Sequence, residues 1–475
     1  MSHYQQAIVL IDQGGHSTRA LLYADNGQLL AESRMAVNVH HLNSFQVEMA
    51  LAPLLRSVDY VLKDIAKKAK QLGVQTITKA GLIVQRSSFL VVDKHSLQPI
   101  GNVVSWMDAR NHAWLQQQSH YFDEIQAISG LYPNAHYAFS KIQWLLKNTP
   151  TLAEKHHHGQ LLFTPLAAYL AHYLCQSDTI VVDPVIASRT MLMDIANMQW
   201  SKALLAIIGI TEEDLPRIVD SDYTVGSIET EHYVIPLDLV GGDQSFVVFS
   251  AGTDKAQDLA FINVGSGAFV QQLCSHLPKQ TRLLKSPLFI NKKQRYIALE
   301  GTINAAASAL SNLYGDAKPD FAAIEKAMQA NHAIPHYRNT LAGSGSPYWI
   351  AAAKPQFSFA ATQEIQAVAI LESVIFALSD NLAVIQQSCS SQAILISGGL
   401  SQSASFCQKL ANCTQLAVMR AKDVEASSRG AAFFMLNIQA AQAQLTFDRF
   451  TPKDDKRLLK RYALHQDTIS LIGQT

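Results

Sequence analysis

The sequence predicts an α/β protein built from two related domains, and three observations carry that expectation. The chain has 475 residues, more than a single hydrophobic core usually supports. Short apolar strand signals and stretches of helical periodicity follow one another along it. Each half also opens on the same device, a strand, a glycine turn and a returning strand. Residues 1–238 are read as one domain and 239–475 as the other.

The opening stretch reads as a β-meander. Ala7–Ile11 is an apolar strand, Asp12-Gln13-Gly14-Gly15 a turn, and Thr18–Tyr23 a second strand. Asp25-Asn26-Gly27 is a strong hairpin signal before a third strand at Leu29–Ser33. A helix is expected over Met49–Leu72, where apolar residues recur at helical spacing and the last turn is rich in lysine. Ala80–Val84 and Val103–Trp106 read as further strands. Residues 140–174 are expected to be mostly helical, and 191–227 to carry turns and helix without a long strand. Ile235-Pro236 leads through Leu239-Val240 to Gly241-Gly242-Asp243-Gln244 and an apolar helix start. The second half begins with the strand Leu259–Val264, the turn Gly265-Ser266-Gly267 and the strand Ala268–Leu273. Later come the strand Ala393–Ile396, the turn Gly398-Gly399 and the helix Ser403–Thr414.

Composition narrows the function. Hydrophobic residues make up 48% and charged residues 16%, as in a well-buried globular protein. The 38 basic and 38 acidic residues cancel, leaving no electrostatic footprint for nucleic acid or an anionic membrane and favouring a small-molecule partner. Five cysteines, an odd number without a CxxC pair, argue for reduced thiols rather than a disulfide framework or a zinc site. The apolar run Ala7–Ile11 is too short for a signal-peptide core or a membrane span, so a cytoplasmic location is expected.

Several turns could carry chemistry, each with a plainer alternative. Asp12 ends a strand before two glycines, where backbone N–H groups can approach an anion and a carboxylate can hold Mg²⁺, while Arg19 could reach a phosphate. An ordinary capped hairpin explains the same residues. Gly265-Ser266-Gly267 is a second candidate phosphate turn, or simply a tight connection. Gly398-Gly399 joins a strand to a helix, whose dipole favours anions. Asp243 could serve as the carboxylate beside an attacking hydroxyl, or merely cap a helix. Arg86, Trp106, Asp108, Arg110 and Tyr137 form a candidate sugar-facing set, since aromatic faces pack on the C–H side of polyols; core and surface roles compete. His156-His157-His158 lacks helical metal-site spacing and sits in an expected loop, and the basic run Lys453–Arg461 reads as a solvated helix face.

Taken together, these segments resemble the FGGY carbohydrate kinase family, its glycerol kinase branch most closely. Asp12-Gln13-Gly14-Gly15-His16-Ser17-Thr18-Arg19-Ala20 is similar to the family's first phosphate motif. Ser105–Arg110, Ser129-Gly130-Leu131, Tyr137 with Ser140–Leu145, Ala187–Leu192 and Gly242-Asp243-Gln244 are similar to later motifs in the same order. So are Gly265–Phe269, Leu299-Glu300-Gly301, Ser346–Trp349, Gly398-Gly399 and Ser428–Ala432. The resemblance implies two ribonuclease-H-like (actin-type ATPase) domains with a central cleft closing on MgATP and a small sugar or polyol. It implies Asp243 as general base, and Asp12 and Asp243 at Mg²⁺. Arg86, Trp106, Tyr137, Asp243, Gln244 and Phe269 would line the polyol pocket. Asp12, Gly14, Gly15, His16, Arg19, Gly265, Ser266, Gly267, Gly398, Gly399 and Gln402 would hold the nucleotide.

The chain departs from the pattern at four places, one of them Ala307 and Ser311, where the glycerol kinase branch has Gly and Gln. Gly15-His16 stands where the family has two threonines. Arg86-Ser87 stands where glycerol kinases carry Arg-Glu, which would make room for a larger substrate. Ser397–Gln402 is closer to the ketose-kinase pattern. An active sugar or polyol kinase is the leading expectation. A non-catalytic sugar-binding relative and another actin-like ATPase are the alternatives, and a homo-oligomer is left open.

Overall fold

The computed structural model describes residues 4–422, 426–443 and 445–472. They gather into two compact units, Met1–Thr253 with Lys285–Ile297 and Ser427–Ala443, and Asp254–Leu284 with Ala298–Ala426 and Gln444–Thr475.

The first unit is built on a six-stranded sheet of β1 (Gln6–Gln13), β2 (Ser17–Ala24), β3 (Leu29–Ala36), β4 (Thr76–Val84), β5 (Ser227–Glu229) and β6 (Val234–Gly242), in the order β5-β6-β4-β1-β2-β3. The expected meander is β1 to β3, antiparallel throughout. β1 is then flanked on its other side by β4 in parallel, and β4 by β6 in parallel. Their apolar runs suit this arrangement, because a strand covered on both faces has no polar side to show. Val9, Leu10 and Ile11 are fully buried, whereas β3 at the edge is mostly exposed. The helix Leu51–Gln71 turns Leu54, Val58, Val61 and Ile65 inward at helical spacing and packs on β2 and β3. A separate five-stranded sheet includes Leu161–Pro165. The sequence hid that strand because it lies between two helices and is apolar without alternation. His156 and His157, expected in a loop, instead close the helix Pro150–His157.

The expected division between residues 238 and 239 falls inside β6. Leu237 and Leu239–Gly242 pair with Ala80–Val84, so cutting there would split a strand from its ladder. Asp243 and the chain to Thr253 therefore belong to the first unit. The apolar helix expected after Gln244 is only a short 3₁₀ turn, Val247–Phe249.

The second unit repeats the theme. Most of a seven-stranded sheet belongs to it, in the order β9-β10-β8-β7-β11-β12-β13, with β7 (Leu259–Val264), β8 (Ala268–Leu273), β9 (Leu284–Ile290), β10 (Arg295–Ile303), β11 (Ala393–Ser397), β12 (Ala417–Ala421) and β13 (Phe447–Phe450); Lys285–Ile297, the bulk of β9 and the start of β10, is counted with the first unit. β7 pairs antiparallel with β8 and parallel with β11, as β1 does with β2 and β4. The helix Gln363–Gln386 is long and apolar enough to cross a membrane by composition, yet most of it is buried in this unit's core.

One expectation about the thiols is corrected. Cys274, just past β8, and Cys389, after the helix Gln363–Gln386, form a disulfide with Cα atoms 5.6 Å apart, within the usual span. Their separation of 115 residues left no spacing signal, since only the folded sheet and helix bring them together. Cys175, Cys407 and Cys413 remain free.

Gly398 has φ +93°, and a Cβ there would lie 2.6 Å from the Val264 carbonyl oxygen. Gly398→Ala is expected to cost about 1–3 kcal/mol of unfolding free energy, read as a lowered urea midpoint at unchanged m-value.

Candidate active site

Parallel pairing brings three polar segments to one edge of the first sheet. Gln13 lies opposite Val84, and Val84 opposite Gly242. Asp12 and Gln13, Gln85 and Arg86, and Asp243 thus emerge side by side at the carboxyl ends of β1, β4 and β6. Ligands of open α/β sheets gather at such edges, where loops diverge and main-chain ladders stop. The chain locks these ends together: the Gln85 N–H donates to the Gln13 carbonyl at 2.8 Å, and the Asp243 N–H to the Val84 carbonyl at 3.0 Å.

Each side chain has a defined neighbour. Arg19 sits opposite Asp12 in the β1–β2 hairpin and donates to its Oδ2 at 2.5 Å. The Ser428 hydroxyl donates to the same oxygen at 3.2 Å. Arg86 donates to Gln244 Oε1 at 2.5 Å. Gly242 permits that approach, because a Cβ there would stand 2.8 Å from Arg86 Cγ. The sequence had placed Arg86, Asp243 and Gln244 in one pocket, and the structure brings them together.

Asp243 keeps some solvent contact but is densely surrounded. Burial pushes its carboxyl up to about 6, with Asp12 adding to the rise and Arg86, the Gln244 N–H and Arg189 opposing it. Asp12 and Asp243 are thus near enough to repel, so both could face one divalent cation, whose oxygen ligands are often carboxylates completed by water.

An aromatic wall stands beside this edge. Trp106 is 38% exposed, and its Nε1 lies 3.5 Å from where a Cβ on Gly15 would be. The Trp106 main-chain N–H donates to Ser88 Oγ at 2.9 Å. Tyr137 is buried, and His136 lies edge-on to both rings, 5.6 Å from Trp106 and 4.9 Å from Tyr137. Asp108 and Arg110 have almost no exposed surface. Both are buried beneath the wall, where Arg110 bridges Asp108 and Glu48. His16 is exposed at the tip of the first loop.

In the second unit the two glycine turns meet. Gly398 packs against the backbone of Val264, next to Gly265. The Ser266 carbonyl accepts from the Ala306 and Ser308 N–H groups at 2.8 and 3.1 Å, which braces the turn against the helix Ala307–Tyr314. Phe269 follows on β8 and is buried, while Gly399 and Gln402 are exposed. At Gly267 and Gly398 an added Cβ would strike main chain, at the Ile303 and Val264 carbonyls, and such bare backbone fits the close approach that phosphates require.

Sequence reasoning missed His136, Ser88 and Ser428 as parts of the site, and gave Arg189 no role. His136 and Arg189 lie within or beside segments already singled out, Tyr137 and Ala187–Leu192, so their position was visible and their partners were not. Arg189 is buried, donates to Ser286 Oγ at 2.6 Å and acts on Asp243 through its charge.

Comparison with known proteins agrees over nearly the whole chain. Residues 7–259 match the N-terminal domain, and 260–436 the C-terminal domain, of the FGGY family of carbohydrate kinases. A glycerol kinase of Natranaerobius thermophilus is 26% identical, with 98% of each chain covered. Among solved structures, Plasmodium falciparum glycerol kinase with ADP superposes with a TM-score of 0.87 at 22% identity, covering 99% of both chains. A ligand-bound xylulose kinase from Lactobacillus acidophilus gives 0.81 at 20% identity, covering 99% of this chain and 97% of the other.

The raised carboxyl at Asp243 has a consequence for stability. Between about pH 4 and 6 the folded state holds a proton there that the unfolded state has released, so stability falls as pH rises through that window. Asp243→Asn is therefore expected to be more stable than the parent at pH 7–8 by about 1–2 kcal/mol, discounted for partial exposure. The gap should close below pH 4, as followed by thermal melts across pH.

Proposed function

Because the chain belongs to the FGGY family of carbohydrate kinases, we propose that it phosphorylates a hydroxyl of a small polyol or ketose with Asp243 as the base. It is a carbohydrate kinase of the glycerol and xylulose kinase type, using ATP with Mg²⁺. The observation that carries the residue assignment is the convergence of Asp12, Arg86 and Asp243 at one edge of three parallel strands, beside the half-exposed Trp106.

Phosphoryl transfer needs in-line positioning and a place for charge more than covalent help. Asp243 takes the proton of the attacking hydroxyl, a role suited to a carboxylate whose affinity for protons burial has raised. Arg86 and Gln244, already bonded to each other, orient the polyol hydroxyls. Trp106 and Tyr137 offer ring faces to its C–H side. Mg²⁺, when bound, spreads the negative charge of the phosphates, and Asp12 with Asp243 would hold it. Arg19 keeps Asp12 in a fixed pose and, with Gly14, Gly15 and His16, forms the first loop's proposed phosphate contact. In the second unit, Gly265–Gly267, Gly398, Gly399 and Gln402 are proposed nucleotide contacts and Phe269 a substrate contact.

Ser87 supports a substrate longer than glycerol. It adopts φ +67° beside Arg86, its hydroxyl is buried without a hydrogen-bond partner, and it brings no carboxylate to compete for space or charge. Without a carboxylate at that position, a tetritol or ketopentose is proposed as a better substrate than a triol.

The test is ADP release with glycerol, erythritol, ribulose and xylulose at fixed MgATP. One of the longer substrates is expected to exceed glycerol in kcat/KM. Asp243→Asn should lower kcat by roughly 10²–10⁴ with the fold intact, and parent-like turnover by that variant would remove Asp243 as the base. In the parent, kcat/KM should fall about tenfold per pH unit below about 6, as Asp243 becomes protonated. Ser87→Glu should move the preference toward glycerol by about tenfold, a change of ~1.4 kcal/mol; an unmoved ratio would show that Ser87 does not set substrate length.

A further inference from the structure

Lys141 is a lysine with 0% of its surface exposed, on the helix Ala138–Asn148 that begins directly after Tyr137. Its ammonium donates to the Ser105 carbonyl at 2.8 Å, and Ser105 immediately precedes Trp106. The charged groups facing it are Asp108 and Arg110, both on the turn that carries Trp106, with Glu48 behind Arg110. Asp108 is occupied by Arg110 and by the Val47 N–H, so Lys141 serves a main-chain carbonyl. Burying an ammonium is costly. A methionine or leucine would fill the same space without that cost, so packing alone leaves the charge unexplained.

We propose that Lys141 is a positioning residue for the substrate wall: its buried bond to the Ser105 carbonyl ties the Trp106 turn to the helix that starts at Tyr137, and so fixes the two rings relative to each other. From above, Ser88 holds the Trp106 N–H; from below, Lys141 holds the preceding carbonyl. The inference rests on the reading of Trp106 as a substrate contact. Burial pushes the Lys141 ammonium down to about 7, with Asp108 opposing and Arg110 adding. Above that pH a charge-assisted bond becomes a weaker neutral one, so the grip on the wall relaxes near neutrality.

The decisive experiment is Lys141→Met, alone and combined with Trp106→Phe, in the full-length protein with the best substrate of the panel. The single variant is expected to raise KM about tenfold and change kcat less than twofold. In the Trp106→Phe background its effect should shrink, because only part of the ring face it positions remains. Equal increases in KM with and without Trp106 would overturn the proposal, as would loss of thermal stability with KM unchanged. Emission of Trp106, isolated by difference from Trp106→Phe, should titrate near pH 7 in the parent and not in Lys141→Met. Should Lys141→Met fail to fold, Lys141→Gln, which can donate to the carbonyl without charge, should likewise lose that titration; its persistence would refute the assignment. The emission experiment needs no turnover, so a parent inactive on every substrate would defeat the functional reading while this test still decided the role of Lys141.

Discussion

Parallel pairing of β1, β4 and β6 is the constraint on which the first unit's site depends. Adjacent parallel strands run the same way, so their last residues meet at one edge however far apart they stand in sequence. Gln13, Val84 and Gly242 are in register, and the residues beside them are Asp12, Arg86 and Asp243. A one-residue slip of β6 would turn Asp243 to the opposite face of the sheet. The Asp243 N–H bond to Val84 and the absence of a Cβ at Gly242, where Arg86 passes, both hold that register.

The edge concentrates charge in a poorly solvated place, and the surrounding residues manage it. Asp12 is paired with Arg19, and Asp243 is left between a repelling carboxylate and two arginines at a distance. That balance raises its proton affinity without neutralising it outright at pH 7, as the proposed role as base requires. The same arrangement is a standing cost to stability, of the kind that functional sites commonly carry.

The second unit shows a related economy with glycine. Gly398 rests on the Val264 backbone, and the Ser266 carbonyl ties the neighbouring turn to the helix Ala307–Tyr314. The two bends therefore support each other through main chain, leaving the exposed Gly399 and Gln402 beside a compact backbone surface. Near the aromatic wall of the first unit, the buried Arg110, Asp108 and Lys141, with the half-buried Glu48, form a polar floor. Such networks specify one geometry when their members are satisfied.

Much of this was legible in the sequence. The hairpin at Asp25-Asn26-Gly27, the helix before residue 72 and the strand–glycine–strand opening of each half follow from periodicity and turn chemistry, which are local. The ordered motifs also indicated Asp12, Arg86, Trp106 and Asp243 together. The strand at Leu161–Pro165, the extent of the first unit beyond residue 238, the bond between Cys274 and Cys389 and the influence of Arg189 on Asp243 were not legible. Each depends on which segments become neighbours across tens or hundreds of residues. Sequence alone determined the residue types, the local turns and the family pattern, because these are written in short windows. The folded chain decided which strands pair, how far a strand runs past an expected boundary and what charge faces a carboxylate, because pairing energies and electrostatic fields depend on distance in space rather than along the chain.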